Sequence, residues 1–304
     1  RAFAGTPKGV FQSKDQGASW TRVGPEIGDG CVAAFAAGSR AATGVTRLFC
    51  CVTSADESKT DSPAWIMRSA DGGGTWERVS ELAAGSGGRP LYLLVSDADP
   101  HRVYLVKSWN SPEDTMYRSD DGGATWRSIF FLKQGDPRFN AAPNYINMEQ
   151  KRMNIWQWST TMAGIDPKDA DHIMFSDYAT GYHSDDGGGT WRSEDTALAP
   201  GQDGPDIDHR WEMHGLNITT VWQYYVDPFE PHRHYFCMAD LAFWHSEDSG
   251  RSWQWMRDLE PNCYELAFDP DTPGKFWGAF AVVHDIPSNN PIIGYHPQSG
   301  RGCV

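Results

Sequence analysis

Short apolar runs recur along the chain, and clusters of Gly, Pro, Asn and Asp separate them. Representative runs cover residues 103–106, 172–176 and 234–238. Runs of this length between turn-forming residues predict β-strands. An Asp-Pro pair, such as Asp99-Pro100, stands ahead of each of the three runs and predicts a turn. The pattern therefore predicts an all-β fold.

A polar motif, Ser-x-Asp-x-Gly-x-Thr/Ser-Trp, recurs in phase with these strands. Its five copies begin at Ser13, Ser69, Ser119, Ser184 and Ser246, 50 to 65 residues apart. The Asp can accept backbone N–H groups within its own turn, and the Gly can adopt the positive φ that such a turn requires. The Trp then packs its ring under the loop. We call these five hairpin turns the box turns.

Each repeat is expected to hold four strands. The order is strand A, Asp-Pro turn, strand B, loop, strand C, box turn and strand D, which is a four-stranded antiparallel propeller blade. The blades cover approximately residues 1–24 (partial), 25–79, 80–129, 130–194, 195–256 and 257–304 (partial). Residues 1–304 are thus expected to form a single propeller domain or a fragment of one.

The two ends of the chain do not complement each other. The first repeat offers strands B, C and D, whereas the last offers strands A and B. Because a propeller avoids open sheet edges by closing its ring, we expect a six- or seven-bladed ring that the remainder of a longer chain or a partner subunit completes. A five-bladed ring closed by both termini is the alternative.

The box turns resemble the Asp-box, also called the bacterial neuraminidase repeat. This repeat occurs in sialidases, xyloglucan-cleaving hydrolases, sortilin-type receptors and a photosystem-assembly factor. The resemblance extends over nearly the whole chain and implies a propeller, but it does not settle activity, because the box lies on the outer rim, away from the central site. The Arg-Ile-Pro tripeptide of true sialidases does not occur in the chain.

The composition excludes several partners. Hydrophobic residues make up 39% of the chain and the net charge is −14. Such a charge argues against binding to a nucleic-acid backbone or to anionic lipid. There is no apolar run of the ~18 residues that a membrane span needs. We expect a protein located in the extracellular space or the periplasm.

Six cysteines permit up to three disulfides, and buried thiols are the alternative. They are Cys31, Cys50, Cys51, Cys237, Cys263 and Cys303. Cys50 and Cys51 are expected to point to opposite faces of one strand.

The loops opposite the box turns are expected to carry the functional site, because D–A and B–C connections gather at the mouth of a propeller. Residues 206–214 form a D–A connection with an unusual density of ionisable side chains. The predicted catalytic residues are Asp208, Glu212, His209, Asp240 and Asp285. The predicted substrate-binding residues are Arg210, Trp211, His214, Trp109, Tyr145, Trp156, Tyr178 and His284. The alternative is structural: a solvated, salt-bridged loop at residues 206–214 and a loop packed by its own aromatics around Tyr145.

Three kinds of chemistry compete for these residues. Two carboxylates can act as the acid and base of glycoside hydrolysis. His209 with a Tyr, and Arg210 to neutralise a uronate, fit a polysaccharide lyase. A metal held by His209 and His214 is weakly supported, since the spacing matches no metal motif. We therefore expect no cofactor beyond a structural cation.

The preferred function is a secreted carbohydrate-active enzyme, a glycoside hydrolase of polysaccharides or oligosaccharides. The alternatives are a polysaccharide lyase and a non-catalytic propeller that acts as a binding receptor or an assembly scaffold.

Overall fold

A computed structural model of the chain describes residues 1–28, 30–53, 63–82, 89–108, 115–132, 136–145, 160–176, 180–204, 206, 208–214, 220–256 and 259–282. In this part of the chain the regular structure is 23 β-strands and one 3-10 turn, Pro25–Ile27. The prediction of an all-β fold is confirmed. The chain divides into two compact units, which are described in turn.

The first unit comprises residues 1–142 and 156–193 and contains four antiparallel sheets. Sheet one holds β1 (Ala2–Thr6), β2 (Gly9–Ser13) and β3 (Thr21–Val23). Sheet two holds β4 (Cys31–Arg40), β5 (Val45–Thr53), β6 (Ala64–Ser69) and β7 (Glu77–Leu82). Sheet three holds β8 (Pro90–Val95), β9 (Val103–Lys107), β10 (Met116–Ser119) and β11 (Arg127–Ser128). Sheet four holds β12 (Met162–Asp166), β13 (Asp169–Ser176), β14 (Gly181–Ser184) and β15 (Arg192–Ser193).

Sheets two, three and four have the predicted blade topology. In each of them every strand pairs with the next one along the chain, and a box turn joins the third strand to the fourth. These are four-stranded antiparallel blades of a β-propeller.

The core of the first unit lies in layers between consecutive sheets. Side chains alternate between the two faces of a strand, so each sheet contributes to two layers. Cys50 lies in the layer with Val10 of sheet one, and Cys51 lies in the layer with Leu105 of sheet three. This confirms that the two neighbouring cysteines face opposite ways. In the next layer Phe130 packs edge-on against Phe175, with ring centroids 4.8 Å apart.

The second unit comprises residues 143–155 and 194–304. Its larger sheet has six strands in the order β16-β17-β21-β20-β19-β18. They are β16 (Thr196–Leu198), β17 (Arg210–Met213), β18 (Val221–Val226), β19 (His234–Met238), β20 (Phe243–Ser246) and β21 (Trp253–Met256). A hairpin of β22 (Asn262–Phe268) and β23 (Phe276–Ala281) packs against this sheet through Leu266 and Phe280.

The five box turns share one hydrogen-bond pattern. The Ser hydroxyl donates to the Asp Oδ1 at 2.8–2.9 Å. The same hydroxyl accepts the Gly N–H at 2.8–2.9 Å. The other Asp oxygen accepts the Ser/Thr hydroxyl at 2.6–2.8 Å. The Gly has φ between 83° and 94° in all five copies, as the sequence predicts.

Three statements about the complete protein stay predictions: the number of blades, the assignment to one domain and the closure of the ring. Among the described residues there is no helix with the length and apolarity of a membrane span.

Candidate functional site

Residues 210–213 form β17, which lies between the edge strand β16 and β21 of the six-stranded sheet, so the prediction that the whole stretch at residues 206–214 is a loop is wrong. Strands β18 to β21 correspond to strands A to D of one repeat. β17 pairs with β21, the last of these four, whereas β18 forms one edge of the same sheet. Strands lie ~4.8 Å apart, so four strand spacings put β17 roughly 19 Å from β18.

Trp211 explains why the stretch adopts this position. Its side chain is fully buried, and its backbone is in register with Trp253 of the last box turn. Arg210 donates to Glu247 of that box turn at 2.8 Å, and the Gln254 amide donates to the Asp208 carbonyl at 2.9 Å. Burial of an indole and these polar contacts make the stretch an added hairpin rather than a loop. Trp211 therefore offers no open face to a sugar.

The other candidates of this stretch are held by local contacts. A ring nitrogen of His209, Nδ1, lies 2.6 Å from the Gly204 carbonyl oxygen. The backbone N–H of His214 donates to the Asp195 carbonyl at 2.8 Å, and Glu212 is in register with Ala197 of β16. These contacts favour a structural role for the residues that make them. The catalytic roles of Asp208, Glu212 and His209 stay predictions.

The structure does not bring Asp208 and Asp240 together. Asp208 precedes β17, and Asp240 lies in the connection between β19 and β20. Two to three strand spacings, roughly 10–14 Å, separate them across the sheet before any distance along the strands is added. Paired carboxylates of glycosidases lie within ~5–9.5 Å of each other, so a separation of this size does not favour such a pair.

Tyr145 is a core residue, contrary to its predicted role in substrate binding. Its side chain is fully buried and packs edge-on against Trp244, with ring centroids 4.3 Å apart. Trp211 and Trp255 enclose it further. A ring surrounded by three indoles is closed to ligands.

Five further candidates lie outside the described residues. They are Trp109, Trp156, Tyr178, His284 and Asp285.

A β-bulge near the start of one strand recurs in four of the sheets, in β4, β8, β18 and β22. The register shifts between Val32 and Ala34 in β4 and between Pro90 and Tyr92 in β8. It shifts in the same way in β18 and β22. The bulged residues are Ala33, Leu91, Trp222 and Tyr264. A bulge re-aims one side chain out of the regular alternation, and bulges are frequent beside active sites.

In the second unit both bulged residues are aromatic, and they contact each other. The rings of Trp222 and Tyr264 have centroids 5.6 Å apart and planes inclined by 31°. Both side chains are partly exposed. The indole N–H of Trp222 is buried without a hydrogen-bond partner among the described residues. The pair presents two partly exposed aromatic rings, which suit the C–H faces of a sugar.

Asp240 lies in a tight, strained turn between β19 and β20. Asp240 has φ 59° and Ala242 has φ 50°, both in the left-handed region. Between them Leu241 donates its N–H to the Ala239 carbonyl at 2.6 Å. Strain of this kind is held only where the surrounding structure enforces it, and it is common at functional sites.

Contacts to both bulged strands enforce the turn. Ala239 donates its N–H to the carbonyl of Thr220, the residue before β18, at 2.9 Å. The Asp240 N–H donates to Asn262 Oδ1 at 3.0 Å, and Asn262 is the first residue of β22. Asp240 is thereby fixed between the start of β18 and the start of β22, and its catalytic role stays a prediction.

Asn262 extends these contacts to the end of β23. It is buried, and its amide nitrogen donates to the carbonyls of Ala281 and Val282, each at 3.2 Å. Ala242 also donates its N–H to the carbonyl of Pro261 at 2.7 Å. Glu260, the residue before Pro261, is a partly exposed carboxylate next to this contact in the sequence. We call Trp222, Asp240, Glu260, Asn262 and Tyr264 the bulge site.

Sequence reasoning missed four members of the bulge site. Trp222 and Tyr264 fall where strand A is expected in the repeats at residues 195–256 and 257–304. Glu260 and Asn262 come just before the strand A that contains Tyr264. The available signal is an aromatic residue near the start of strand A in two consecutive repeats.

In the described part of the chain no three His, Cys, Asp or Glu side chains are grouped to hold a metal ion.

No protein-family model and no curated protein matches the chain. Among solved structures, it is similar to the GH74 xyloglucanase of Xanthomonas campestris, with 18% identity, a TM-score of 0.40, and coverage of 91% of this chain and 49% of the enzyme. It is also similar to the GH74 enzyme of Niastella koreensis, with 14% identity, a TM-score of 0.41, and coverage of 92% and 52%. A third similar structure is YCF48 from Cyanidioschyzon merolae, with 12% identity, a TM-score of 0.37, and coverage of 91% and 87%. The chain thus spans about half the length of the GH74 enzymes that it matches.

Proposed function

We propose that this chain is a carbohydrate-active propeller protein, a glycoside hydrolase that cleaves a polysaccharide or an oligosaccharide. The observation that carries the proposal is the Trp222–Tyr264 pair, with ring centroids 5.6 Å apart, on two strands whose beginnings are hydrogen-bonded to the strained Asp240 turn. Aromatic faces bind the C–H faces of sugar rings, and carboxylate and amide groups bind their hydroxyls. The bulge site combines these groups at one end of a sheet.

Asp240 supplies one of the two carboxylates that glycoside hydrolysis needs. One carboxylic acid protonates the glycosidic oxygen, and the second carboxylate activates water or attacks the anomeric carbon. We propose Glu260 as the second carboxylate among the described residues, and Asp285 is the second carboxylate that the sequence predicts outside them. The loss of either partner should lower turnover far more than binding.

The resemblance of the box turns to Asp-boxes supports the propeller part of the proposal and leaves the activity open. The similar GH74 structure from Xanthomonas campestris is described as a xyloglucanase, so xyloglucan belongs in the first set of substrates to test. We further propose that the protein acts outside the cytoplasm, because polysaccharides are too large to cross a membrane unaided.

The test is a reducing-end assay on xyloglucan, a sialylated oligosaccharide and an oligogalacturonate, with binding measured by calorimetry. We expect D240N to abolish turnover and to leave binding within about twofold. We expect W222A to weaken binding about tenfold, as the loss of an aromatic contact of ~0.5–1.5 kcal/mol allows.

Two matched variants serve as controls. Asp271 is an exposed carboxylate of the β22–β23 turn, and Tyr224 is an exposed aromatic residue of β18 outside the bulge. D271N and Y224A should behave like the wild type. Failure of the wild type to bind or cleave any of the glycans would overturn the proposal, and binding without cleavage would identify a non-catalytic propeller.

A further inference from the structure

Two cysteines of the second unit lie in direct contact. The sulfur atoms of Cys237 in β19 and Cys263 in β22 are 3.0 Å apart. Both residues are fully buried in the layer between the six-stranded sheet and the β22–β23 hairpin. Cys237 belongs to the six-stranded sheet and Cys263 to the two-stranded sheet of β22 and β23. The two thiols thus meet between two separate sheets.

The other described cysteines lack such a partner position. Cys50 and Cys51 are also fully buried, but they occupy different core layers. Burial raises the pKa of the Cys51 thiol to about 12, and it raises the pKa of Cys50 as well. Burial alone therefore yields inert thiols, and only the Cys237–Cys263 pair combines burial with sulfur contact.

We propose that Cys237 and Cys263 form a disulfide bond when the chain folds in the presence of a low-molecular-weight disulfide oxidant. One cysteine, as thiolate, attacks the oxidant disulfide and releases one thiol from it. The second cysteine, as thiolate, then attacks the mixed disulfide and releases the second thiol. The two cysteines lose two protons and two electrons, and the oxidant is reduced to two thiols.

The attack on the oxidant belongs to folding, before β22 packs against the six-stranded sheet, and the second attack follows as packing brings the two sulfur atoms into contact. In the folded chain the hydrogen bond with Cys263, together with burial, raises the pKa of Cys237, so the reactive thiolate is suppressed once the layer is formed. Sulfur atoms that the fold itself brings into contact need little backbone movement to be joined.

The bond would tie the bulged strand β22 to β19, the strand that pairs with the other bulged strand, β18. Cys263 directly precedes Tyr264, and Cys237 is in register with Gln223, which directly follows Trp222. The proposal does not depend on glycan binding, because its first readout is covalent.

The experiment refolds the full chain with a mixture of oxidised and reduced glutathione, blocks free thiols under denaturing conditions without reductant, and maps the peptides by mass spectrometry. We expect a linked peptide pair containing Cys237 and Cys263, with a mass lower by two hydrogen atoms than the sum of the reduced peptides. We expect Cys50 and Cys51 to be recovered blocked as free thiols.

A second measurement compares the melting temperatures of oxidised and reduced protein. Oxidation should raise the value by several degrees in the wild type and in the control variant C51S, and it should have no effect in C237S and C263S. Recovery of Cys237 and Cys263 as blocked free thiols, or in disulfides with glutathione or Cys303, would overturn the proposal. The peptide map needs only the wild type, so a variant that fails to fold leaves the test intact.

Discussion

Arg118 donates a hydrogen bond at 2.9 Å to the carbonyl of Gly187, which lies in the next box turn along the chain. Arg118 directly precedes the Ser of its own box turn, and residues in the same position make the same contact in the preceding sheets. Arg68 donates to the Gly122 carbonyl at 3.1 Å, and Gln12 donates to the Gly72 carbonyl at 3.4 Å. Each box turn of the first unit is thus tied to its neighbour by one side chain.

The first prediction concerns this link between box turns. Arg118 is largely buried, so R118M should leave the Gly187 carbonyl without its charged donor and cost about 1.5–3 kcal/mol of unfolding free energy. Arg127 is the matched control, because it is exposed and binds Asp120, a partner that Arg118 also binds. Urea unfolding should show a loss of less than about 1 kcal/mol for R127M. Equal losses in the two variants would contradict the link.

The second prediction separates backbone strain from steric clash at the box glycines. Gly188 has φ 89°, and a Cβ there would clash with the Ile129 Cδ1 atom, whereas Gly17 has φ 94° and open space around it. Gly164 in β12 has open space and no positive φ. Urea unfolding should rank the losses G188A > G17A > G164A, with roughly 1–2 kcal/mol for the strain alone. A G17A variant as stable as G164A would show that the left-handed conformation is not required.

Local chemistry made the geometry of the box turns predictable from the sequence. The positions of the site residues depend on contacts between segments that are distant in the sequence. The Ser, Asp and Gly of a box turn bond within a few residues of each other, so the sequence alone indicates their geometry. Trp211 was misplaced because its partner, Trp253, is a register contact that periodicity does not reveal. Trp222 and Tyr264 were missed because a β-bulge interrupts the alternation by which strand faces are predicted.

The third prediction concerns the stability of the box turns in acid. Hydrogen bonds from the Thr125 hydroxyl and N–H lower the pKa of Asp121 to about 2. Since the unfolded carboxyl titrates near ~3.9, this contribution to stability is complete above that pH and is lost as the pH falls towards 2. Urea midpoints measured from pH 6 down to pH 2.5 should therefore fall more steeply for the wild type than for D121N, and the two curves should converge in acid. Parallel curves would show that Asp121 contributes nothing to the acid sensitivity.

The fourth prediction compares the contribution of Asp208 and Glu212, at β17, to turnover with that of Asp240 in the bulge site. The ion pair of Arg210 and Glu247 holds β17, and Asp208 just before it, beside β21. β21 lies three strands away from β18. The doubly substituted D208N/E212Q protein should therefore retain the glycan turnover of the wild type within about twofold, and D240N should lose it. Turnover on the glycan that the wild type cleaves is measured at equal concentrations of folded protein, checked by circular dichroism. If folded D208N/E212Q loses turnover and D240N stays active, the catalytic residues are Asp208 and Glu212. The bulge site is then not catalytic.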